Sequence, residues 1–254
     1  MKRKAFTLDD LHGYVQWNPC RKGSTVAKVD SDSIAHRRCF LCKENRPPNQ
    51  KAKELVEGWE LLENPFPVFT PHFTIVKKSH NPQIFELGIA TQWVKHLPGM
   101  TVFYNDPGAG ASAPDHAHYQ AVKTSELPLI NFLDSKWSED DISSLSPLSN
   151  SLNLPFKIIT GTVTPDLVFN YESPFNAYIW ESVTGSIRYL VIPRKAHRPA
   201  LYFKELPHRR AFSPGGIDMA GILITPFHED FVRVTEQDIL EIYQEVAYKP
   251  AINE

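Results

Sequence analysis

The sequence contains no long apolar run, few cysteines, and less glycine than proline. A membrane-spanning helix needs roughly 20 consecutive apolar residues. No stretch of the 254-residue sequence approaches this length, so we expect no membrane partner. The opening MKRKAFTLDDLHGYVQW is basic but has no apolar segment behind it, which argues against a secretory signal. Three cysteines are too few for a disulfide framework and suit a reducing compartment. We therefore expect a cytoplasmic protein.

An excess of charge of either sign is also missing. Lys and Arg number 27 against 29 Asp and Glu, and the formal net charge is -2. This balance lacks the broad basic surface of a nucleic-acid-binding protein, so no nucleic-acid partner is expected. Any anionic substrate must be held by a local site. With 42% hydrophobic and 22% charged residues, the composition is typical of one large globular domain or two small ones.

Short apolar segments between prolines make up most of the chain. The 21 prolines indicate many stiff connections. Strands are predicted where β-branched and aromatic residues cluster: FTIVKK, MTVFYN, FKIITGTV, NAYIWESV, IRYLVIP and AGILITPF. TEQDILEIYQEVAYK predicts a helix with Thr235 as its cap and Asp238 at the capping-box position. PQIFELGIATQWVKHL predicts a second helix with Pro82 in its first turn.

Two segments of the chain resemble each other. Glu63–Phe69 (ENPFPVF) precedes FTIVKKSHNP, and Glu172–Tyr178 (ESPFNAY) precedes YLVIPRKAHRP. We interpret them as copies of one strand, hairpin and helix unit, with chance similarity of two strand-turn segments as the alternative. The polar stretch 134–155 is predicted to be a linker or surface segment. The expected organisation is therefore an N-terminal unit over 1–133 and a C-terminal unit over 156–254.

The stretch VFYNDPGAGASAPDHAHYQAV, Val102–Val122, is the strongest candidate for chemistry. Alternate side chains of a strand share a face, so His116, His118 and Gln120 are expected to point the same way. The preceding run of small residues lets backbone N–H groups approach an anion. An imidazole beside a phosphate can attack phosphorus, and an amide can donate to the phosphate oxygens.

Other interpretations of H-x-H remain open at this level. Two histidines at this spacing can both ligate one metal, as in a metal-dependent hydrolase or isomerase. A nucleotide-binding module without turnover is a further alternative. The pattern is also compatible with a pair of ordinary structural histidines.

The segment RCFLCKENRPP places Cys39 and Cys42 in C-x-x-C spacing. Two such thiolates can reach one zinc ion, but a structural site needs about four nitrogen or sulfur ligands. His80, after the FTIVKK strand, and His116 are the nearest candidates to complete it. A redox pair and two buried apolar cysteines are the alternatives.

Together these motifs resemble the histidine-triad superfamily, and specifically its nucleotidyltransferase branch. That branch includes galactose-1-phosphate uridylyltransferases, diadenosine tetraphosphate phosphorylases and GDP-sugar phosphorylases. NDPGAGASAPDHAHYQ is similar to its active-site loop, and FTIVKKSH and SPGGIDMAG are similar to two further segments. The resemblance covers Val15–Val246. It implies an α+β fold of two tandem units, each an antiparallel sheet with packed helices, related by a pseudo-two-fold axis and sharing one active site. A bacterial relative of these enzymes is expected.

The resemblance also implies roles for individual residues. His118 would be the nucleophile that takes up the nucleotidyl group, and Gln120, in place of a third histidine, favours transfer or phosphorolysis over hydrolysis. The remaining implied substrate-binding residues are Asn105, Gly110, Ser112, Arg21 and Lys28. Zinc would be held by Cys39, Cys42, His80 and His116.

The chain departs from the family pattern at two positions. Asp115 stands where uridylyltransferases have proline, and Ser112 lies one residue further from His116 than their serine does. His197 has no cysteine pair or H-x-H to join, and we expect it to be structural. The expected partners are a nucleotide or nucleotide sugar and a phosphate-type acceptor, and a homodimer is compatible with the resemblance.

Overall fold

The computed structural model describes residues 1–136 and 152–250. The strands are β1 (Lys2–Leu8), β2 (Leu11–Trp17), β3 (Ala52–Val56), β4 (Trp59–Glu63), β5 (His72–Lys77), β6 (Met100–Asn105), β7 (His118–Lys123), β8 (Ile159–Thr162), β9 (Phe175–Glu181), β10 (Ile187–Pro193) and β11 (Ile222–Thr225). The helices are α1 (Lys22–Thr25), α2 (Ser31–His36), α3 (Leu87–His96), α4 (Pro128–Lys136), α5 (Ala200–Phe203), α6 (Gly216–Met219), α7 (His228–Arg233) and α8 (Glu236–Val246). All six strands predicted from the sequence are present.

Most strands form one antiparallel sheet in the order β3-β4-β5-β7-β6-β9-β10-β8. A smaller sheet has the order β1-β2-β11, in which β11 runs parallel to β2. The predicted α+β class with an antiparallel sheet is confirmed.

The two halves of the chain meet inside the large sheet. β6 pairs with β9 from Val102 opposite Ile179 to Asn105 opposite Asn176. Every residue of β6 is buried, as expected of a strand covered on both faces. Phe103 and Tyr178 face the core beneath α8, whereas Val102 and Tyr104 face the core beneath α3. The sheet is therefore continuous across the middle of the chain, and both of its faces are covered.

The similar segments found in the sequence lie in different surroundings. Glu63–Phe69 starts at the end of β4 and forms the connection to β5, whereas Glu172–Tyr178 runs directly into β9. Residues 134–136 of the predicted linker belong to α4, and residues 137–151 lie outside the described residues. The duplication and the boundaries at 133 and 156 remain predictions.

The helix predicted from Thr235 is confirmed. Thr235 caps α8 and forms a reciprocal capping box with Asp238. The other predicted helix starts later than expected: α3 begins at Leu87, and Pro82 lies outside it. The preceding residues instead hydrogen-bond to the loop before β7, with Gln83 N donating to Pro114 O and Ala117 N donating to Asn81 O. These contacts hold residues 81–83 outside the helix. Within residues 1–136 and 152–250, no helix has the length and apolarity needed to cross a membrane.

Candidate active site and metal centre

The loop between β6 and β7 packs against the C-terminal half through Gly110. Its φ is +94°, a conformation that a residue with a Cβ adopts only with strain. A Cβ at this position would lie 2.6 Å from Gly215 Cα and 2.7 Å from Pro214 O. Glycine is required here for both reasons, and the loop is thereby in direct contact with the segment before α6.

His118 is the first residue of β7, and its surroundings define its protonation. Its Nδ1 lies 2.8 Å from the carbonyl oxygen of His116, which can only accept, so Nδ1 carries the proton. The side chain of Gln83 holds the His118 backbone, accepting from its N–H at 2.7 Å and donating to its C=O at 2.9 Å. Burial lowers the pKa of His118 to about 4, so the ring is neutral near pH 7. Its Nε2 therefore has a lone pair, and no described residue hydrogen-bonds to it.

Gln120 is oriented by His72, a residue that the sequence did not single out. Val68 N–H donates to His72 Nδ1 at 3.1 Å, so the proton of the neutral ring lies on Nε2. His72 Nε2 then donates to Gln120 Oε1 at 2.8 Å. Because the oxygen of Gln120 is occupied, its NH₂ group is the end free to donate to a ligand. Only the pairing of β5 with β7 brings these residues together, and no short motif signals it.

Asn105 is fixed in a comparable way at the end of β6. Its Oδ1 accepts from Asn176 Nδ2 and from Gly216 N, each at 2.8 Å. Its own Nδ2 has no hydrogen-bond partner within the described residues. Asn105 therefore presents a donor, as Gln120 does.

These donors lie on the wall of a pocket formed by both halves. The pocket is a cleft that opens to solvent. Its lining comprises Arg21, Ser24, Thr25, Val29, Phe103, Asn105, Gly110, Ser112, Gln120, His197, Ser213, Gly215, Gly216, Ile217, Asp218 and Ile224. Lys28 is exposed and does not belong to this lining, and neither does the nucleophile candidate His118, of which 5% is exposed.

Opposite charges line the pocket at Arg21 and Asp218. The carboxylate of Asp218 accepts from Gly215 N at 3.0 Å and from Ile224 N at 2.8 Å. Burial raises its pKa to about 6 in spite of these hydrogen bonds and the nearby arginines. Burial also lowers the pKa of Arg21, whose Nη1 donates to Phe66 O at 3.3 Å. Arg21 is thus held in the pocket wall by the connection between β4 and β5.

A second cluster, of cysteine and histidine side chains, includes His116 from the loop between β6 and β7. One ligand atom from each of Cys39, Cys42, His80 and His116 lies within 4.8 Å of the others. Cys39 Sγ and Cys42 Sγ lie 3.3 and 3.6 Å from His116 Nδ1, and Cys42 Sγ lies 3.2 Å from His80 Nδ1. Ligand atoms around a tetrahedral zinc are separated by about 3.3–3.8 Å, given bond lengths near 2.0 and 2.3 Å.

The protonation of His116 supports metal binding at this cluster. Its Nε2 lies 2.7 Å from Lys77 O and must donate to that carbonyl, which leaves the Nδ1 lone pair facing the sulfur atoms. Cys39 and Cys42 are free thiols, and burial raises the pKa of Cys39 to about 11. A buried thiolate therefore needs a cation beside it. The four predicted ligands are brought together, and the set could hold a metal ion.

Arg37 connects this cluster to the loop. Its Nη2 donates to Asp115 Oδ1 at 2.7 Å and to Ser112 O at 3.1 Å. Asp115 Oδ2 in turn lies 3.9 Å from His80 Nε2. Asp115, which departs from the family pattern, therefore takes part in an ion pair at the edge of the cluster.

Residues 1–123 match the family described as "Domain of unknown function (DUF4922)". In a search of curated proteins, none matches the chain significantly. Among solved structures, the yeast Ap4A phosphorylase Apa2 in complex with AMP aligns with a TM-score of 0.59 at 16% identity, covering 99% of this chain and 91% of that one. The same yeast enzyme in complex with Ap4A aligns with a TM-score of 0.55 at 15% identity, covering 98% and 90%.

The chain has the fold of the yeast Ap4A phosphorylase. The resemblance predicted from the sequence, which included diadenosine tetraphosphate phosphorylases, is therefore confirmed at the level of the fold.

Within this phosphorylase fold, the site residues fall into three groups. The first is the set of predicted residues that line the pocket: Arg21, Asn105, Gly110, Ser112 and Gln120. The second is the cluster of Cys39, Cys42, His80 and His116, which could hold a metal ion. The third was not foreseen from the motifs and lies in the C-terminal half, where His197, Ser213 and Asp218 complete the pocket wall. The SPGGIDMAG segment, noted in the sequence for its resemblance alone, supplies Ser213 and Asp218.

Proposed function

We propose that the chain is a nucleotidyltransferase or nucleotide phosphorylase that acts through a covalent nucleotidyl-histidine at His118. The arrangement of His118 carries this proposal: a neutral, buried imidazole that donates from Nδ1 to a backbone carbonyl and keeps the Nε2 lone pair unpartnered among the described residues. A nucleophile of this kind can split one transfer into two displacements.

In the first displacement, His118 Nε2 attacks the α-phosphorus of a nucleoside diphosphate derivative. The N–P bond forms as the bond from phosphorus to the bridging oxygen breaks, and the leaving phosphate departs with that electron pair. In the second, an oxygen of an acceptor phosphate attacks the same phosphorus, and the electron pair of the N–P bond returns to Nε2. The carbonyl of His116 stabilises the ring while it carries positive charge, since it accepts from Nδ1 throughout.

The donors on the pocket wall suit the phosphoryl oxygens. Gln120 and Asn105 each present an NH₂ group whose orientation is fixed by hydrogen bonds to the amide oxygen. Arg21 adds a guanidinium charge, and the backbone near Gly110 and Ser112 lies in the same wall. Fixed donors of this kind stabilise negative charge as it develops on phosphorus without reorganisation. His118 lies two residues before Gln120 on β7, so the two side chains share a face of that strand.

We also propose that Cys39, Cys42, His80 and His116 hold a structural zinc ion. Zinc would supply a fixed tetrahedral centre that joins the C-x-x-C segment to the loop before β7. His116 would bind it through the ring and orient His118 through the backbone carbonyl. His116 would thus connect the metal site to the proposed nucleophile.

A hydrolase or isomerase with His116 and His118 on one metal is disfavoured by the same contacts. Nδ1 of His116 faces the two cysteines, whereas Nδ1 of His118 is occupied by the backbone. His118 does not belong to the metal-ligand cluster found in the described part of the chain.

The structural neighbour supports a class of substrate. The yeast enzyme was solved with AMP and with Ap4A. Dinucleoside polyphosphates and nucleoside diphosphate sugars are therefore the proposed substrates, with a phosphate-type acceptor.

The test is to incubate the purified protein with a panel of these compounds and search by mass spectrometry for a nucleotide on His118. Wild type and the control His96→Ala, which alters an exposed histidine at the end of α3, are expected to form the adduct. His118→Ala is expected to form none. Nucleotide binding without an adduct in wild type would instead identify a binding module, and an equal adduct yield in His118→Ala would eliminate the proposed nucleophile.

A further inference from the structure

His197, after β10, belongs to the wall of the pocket, although the sequence predicted only a structural role for it. Its Nε2 lies 3.0 Å from Ser213 Oγ, and both residues line the pocket. The C-terminal half lacks an H-x-H pair, yet it delivers one histidine to the same cavity as Gln120.

The hydrogen bonds around Ser213 are compatible with a proton on Nδ1 of His197. Arg198 Nε, which can only donate, lies 3.0 Å from Ser213 Oγ. The hydroxyl accepts from Arg198 and keeps its own proton, which it can donate to His197 Nε2. Burial, together with the charges of Arg198 and Arg194, lowers the pKa of His197 to about 3, so the ring is neutral near pH 7. A neutral ring that accepts at Nε2 carries its proton on Nδ1, which has no hydrogen-bond partner among the described residues.

The charges behind His197 favour an anion. Arg194 is fully buried, and its Nη2 donates to His197 O at 3.3 Å and to Pro214 O at 3.0 Å. Arg198 Nη2 donates to Ala27 O at 2.7 Å. Within residues 1–136 and 152–250, neither guanidinium has a carboxylate at ion-pair distance. Asp218 acts electrostatically on Arg194, but Arg21, Arg194 and Arg198 outnumber this one carboxylate, so a bound anion would be stabilised there.

We propose that His197 is a substrate-contacting residue whose Nδ1–H donates to an oxygen of a second phosphate, the one that is not transferred to His118. This rests on the proposed function. The N-terminal half would hold the phosphorus under attack through Asn105 and Gln120, and the C-terminal half would hold the leaving or accepting phosphate through His197.

The test measures the binding of the four common nucleoside monophosphates and diphosphates by calorimetry. The variants are His197→Ala, which removes the donor, and His197→Asn, whose Nδ2 lies near the position of Nδ1. His208→Ala, which alters an exposed histidine of the same half, is the control. For the best-bound base, His197→Ala is expected to weaken diphosphate binding about 10-fold to 100-fold, the size of one hydrogen bond to a charged group. Monophosphate binding is expected to be unchanged, and His197→Asn is expected to retain most of the diphosphate affinity.

A second measurement keeps the inference testable if His197→Ala fails to fold. Nitrogen-15 NMR of the wild-type imidazoles is expected to show His197 protonated at Nδ1, and protonation at Nε2 would overturn the assignment. Equal losses for monophosphate and diphosphate, or no loss, would also overturn it. If wild type forms the His118 adduct and His197→Ala binds diphosphate normally, only the role of His197 is wrong. If wild type binds no nucleotide, the proposed function fails and this inference fails with it.

Discussion

His72 donates from Nε2 to Gln120 Oε1 across 2.8 Å, while its Nδ1 accepts the amide proton of Val68. This pair fixes which end of the Gln120 amide is available to a phosphate. With the imidazole removed, the amide can rotate and present its oxygen, which repels phosphate oxygens. His72 is therefore a positioning residue, acting through Gln120.

We expect His72→Phe to slow adduct formation by about 10-fold to 100-fold, because a donor to a charged group contributes roughly 1.5–3 kcal/mol. His72→Gln, which can place a donor near Nε2, is expected to recover part of the rate. In single-turnover kinetics, adding His72→Phe to Gln120→Leu should cause no further loss. An additive loss in the double variant would show that His72 acts independently of Gln120.

Removal of one metal ligand is expected to abolish metal binding. Wild type should contain about one zinc per chain by elemental analysis, since the cluster could supply the four ligands that a structural site needs. Cys42→Ser is expected to lose the zinc and to unfold at a lower temperature. Cys20→Ser, which alters the exposed cysteine outside the cluster, is the matched control and should behave as wild type. Wild type that is free of metal after purification in zinc-containing medium would contradict the proposed site.

Gly110→Ala tests the contact between the two halves. The left-handed backbone and the 2.6 Å approach to Gly215 Cα both penalise a Cβ. We expect the free energy of unfolding to fall by about 2 kcal/mol or more, and nucleotide binding to weaken as the loop moves. In the control Gly88→Ala, in α3, the added Cβ meets nothing within 4 Å, and stability should be unchanged or rise by up to about 1 kcal/mol. Chemical denaturation of both variants provides the measurement.

Acid is expected to destabilise the fold through its buried histidines. Burial lowers the pKa of His72 and His118 to about 4 and that of His197 to about 3, from 6.5. Below pH 6.5 the unfolded chain binds protons that the folded chain does not, so the stability associated with each neutral ring is lost as pH falls toward 4. At pH 5 the loss is on the order of 2 kcal/mol for each histidine. Asp218 acts in the opposite direction, because its raised pKa favours the folded state as pH falls below about 6.

Denaturation at pH 7.5 and pH 5.0 measures this effect. His197→Asn removes one titrating ring, so its stability should depend less steeply on pH than that of wild type. Identical pH dependence in the two proteins would show that His197 is not held neutral by the fold.

The elements that could be predicted from the sequence are those that a short local motif or periodicity determines. The capping box at Thr235 and the apolar stripe that follows it suffice for α8. The H-x-H-x-Q spacing predicts that the three side chains lie on one face of a strand. In the structure, His116 lies just before β7 and not within it. C-x-x-C places two candidate metal ligands close together, and the basic pair before His80 marks where a third could lie.

The sequence analysis did not predict several strands, because their residues have the wrong local propensity or pair with distant segments. β3 and β4 consist largely of Ala, Lys, Glu and Leu, which favour helices. A turn at Gly58, with φ of +76°, makes them a hairpin instead. β2 pairs in parallel with β11, which lies about two hundred residues away in the sequence, and no local signal reports such a pairing. For the same reason, the contributions of His72 and His197 to the site became visible only when the strands were placed side by side.

The pairing of β6 with β9 bears on any shorter form of the chain. Residues 1–123, the part that matches the family model, contain His118 and all four cluster residues. If the chain ended at residue 123, β6 would lose its partner strand β9. The amides and carbonyls from Val102 to Asn105 that pair with β9 would then be exposed. Such an open strand edge invites pairing with other molecules. A fragment of this kind would carry the proposed nucleophile but would tend to aggregate, so possession of the motif alone is a poor guide to which natural chains are active enzymes.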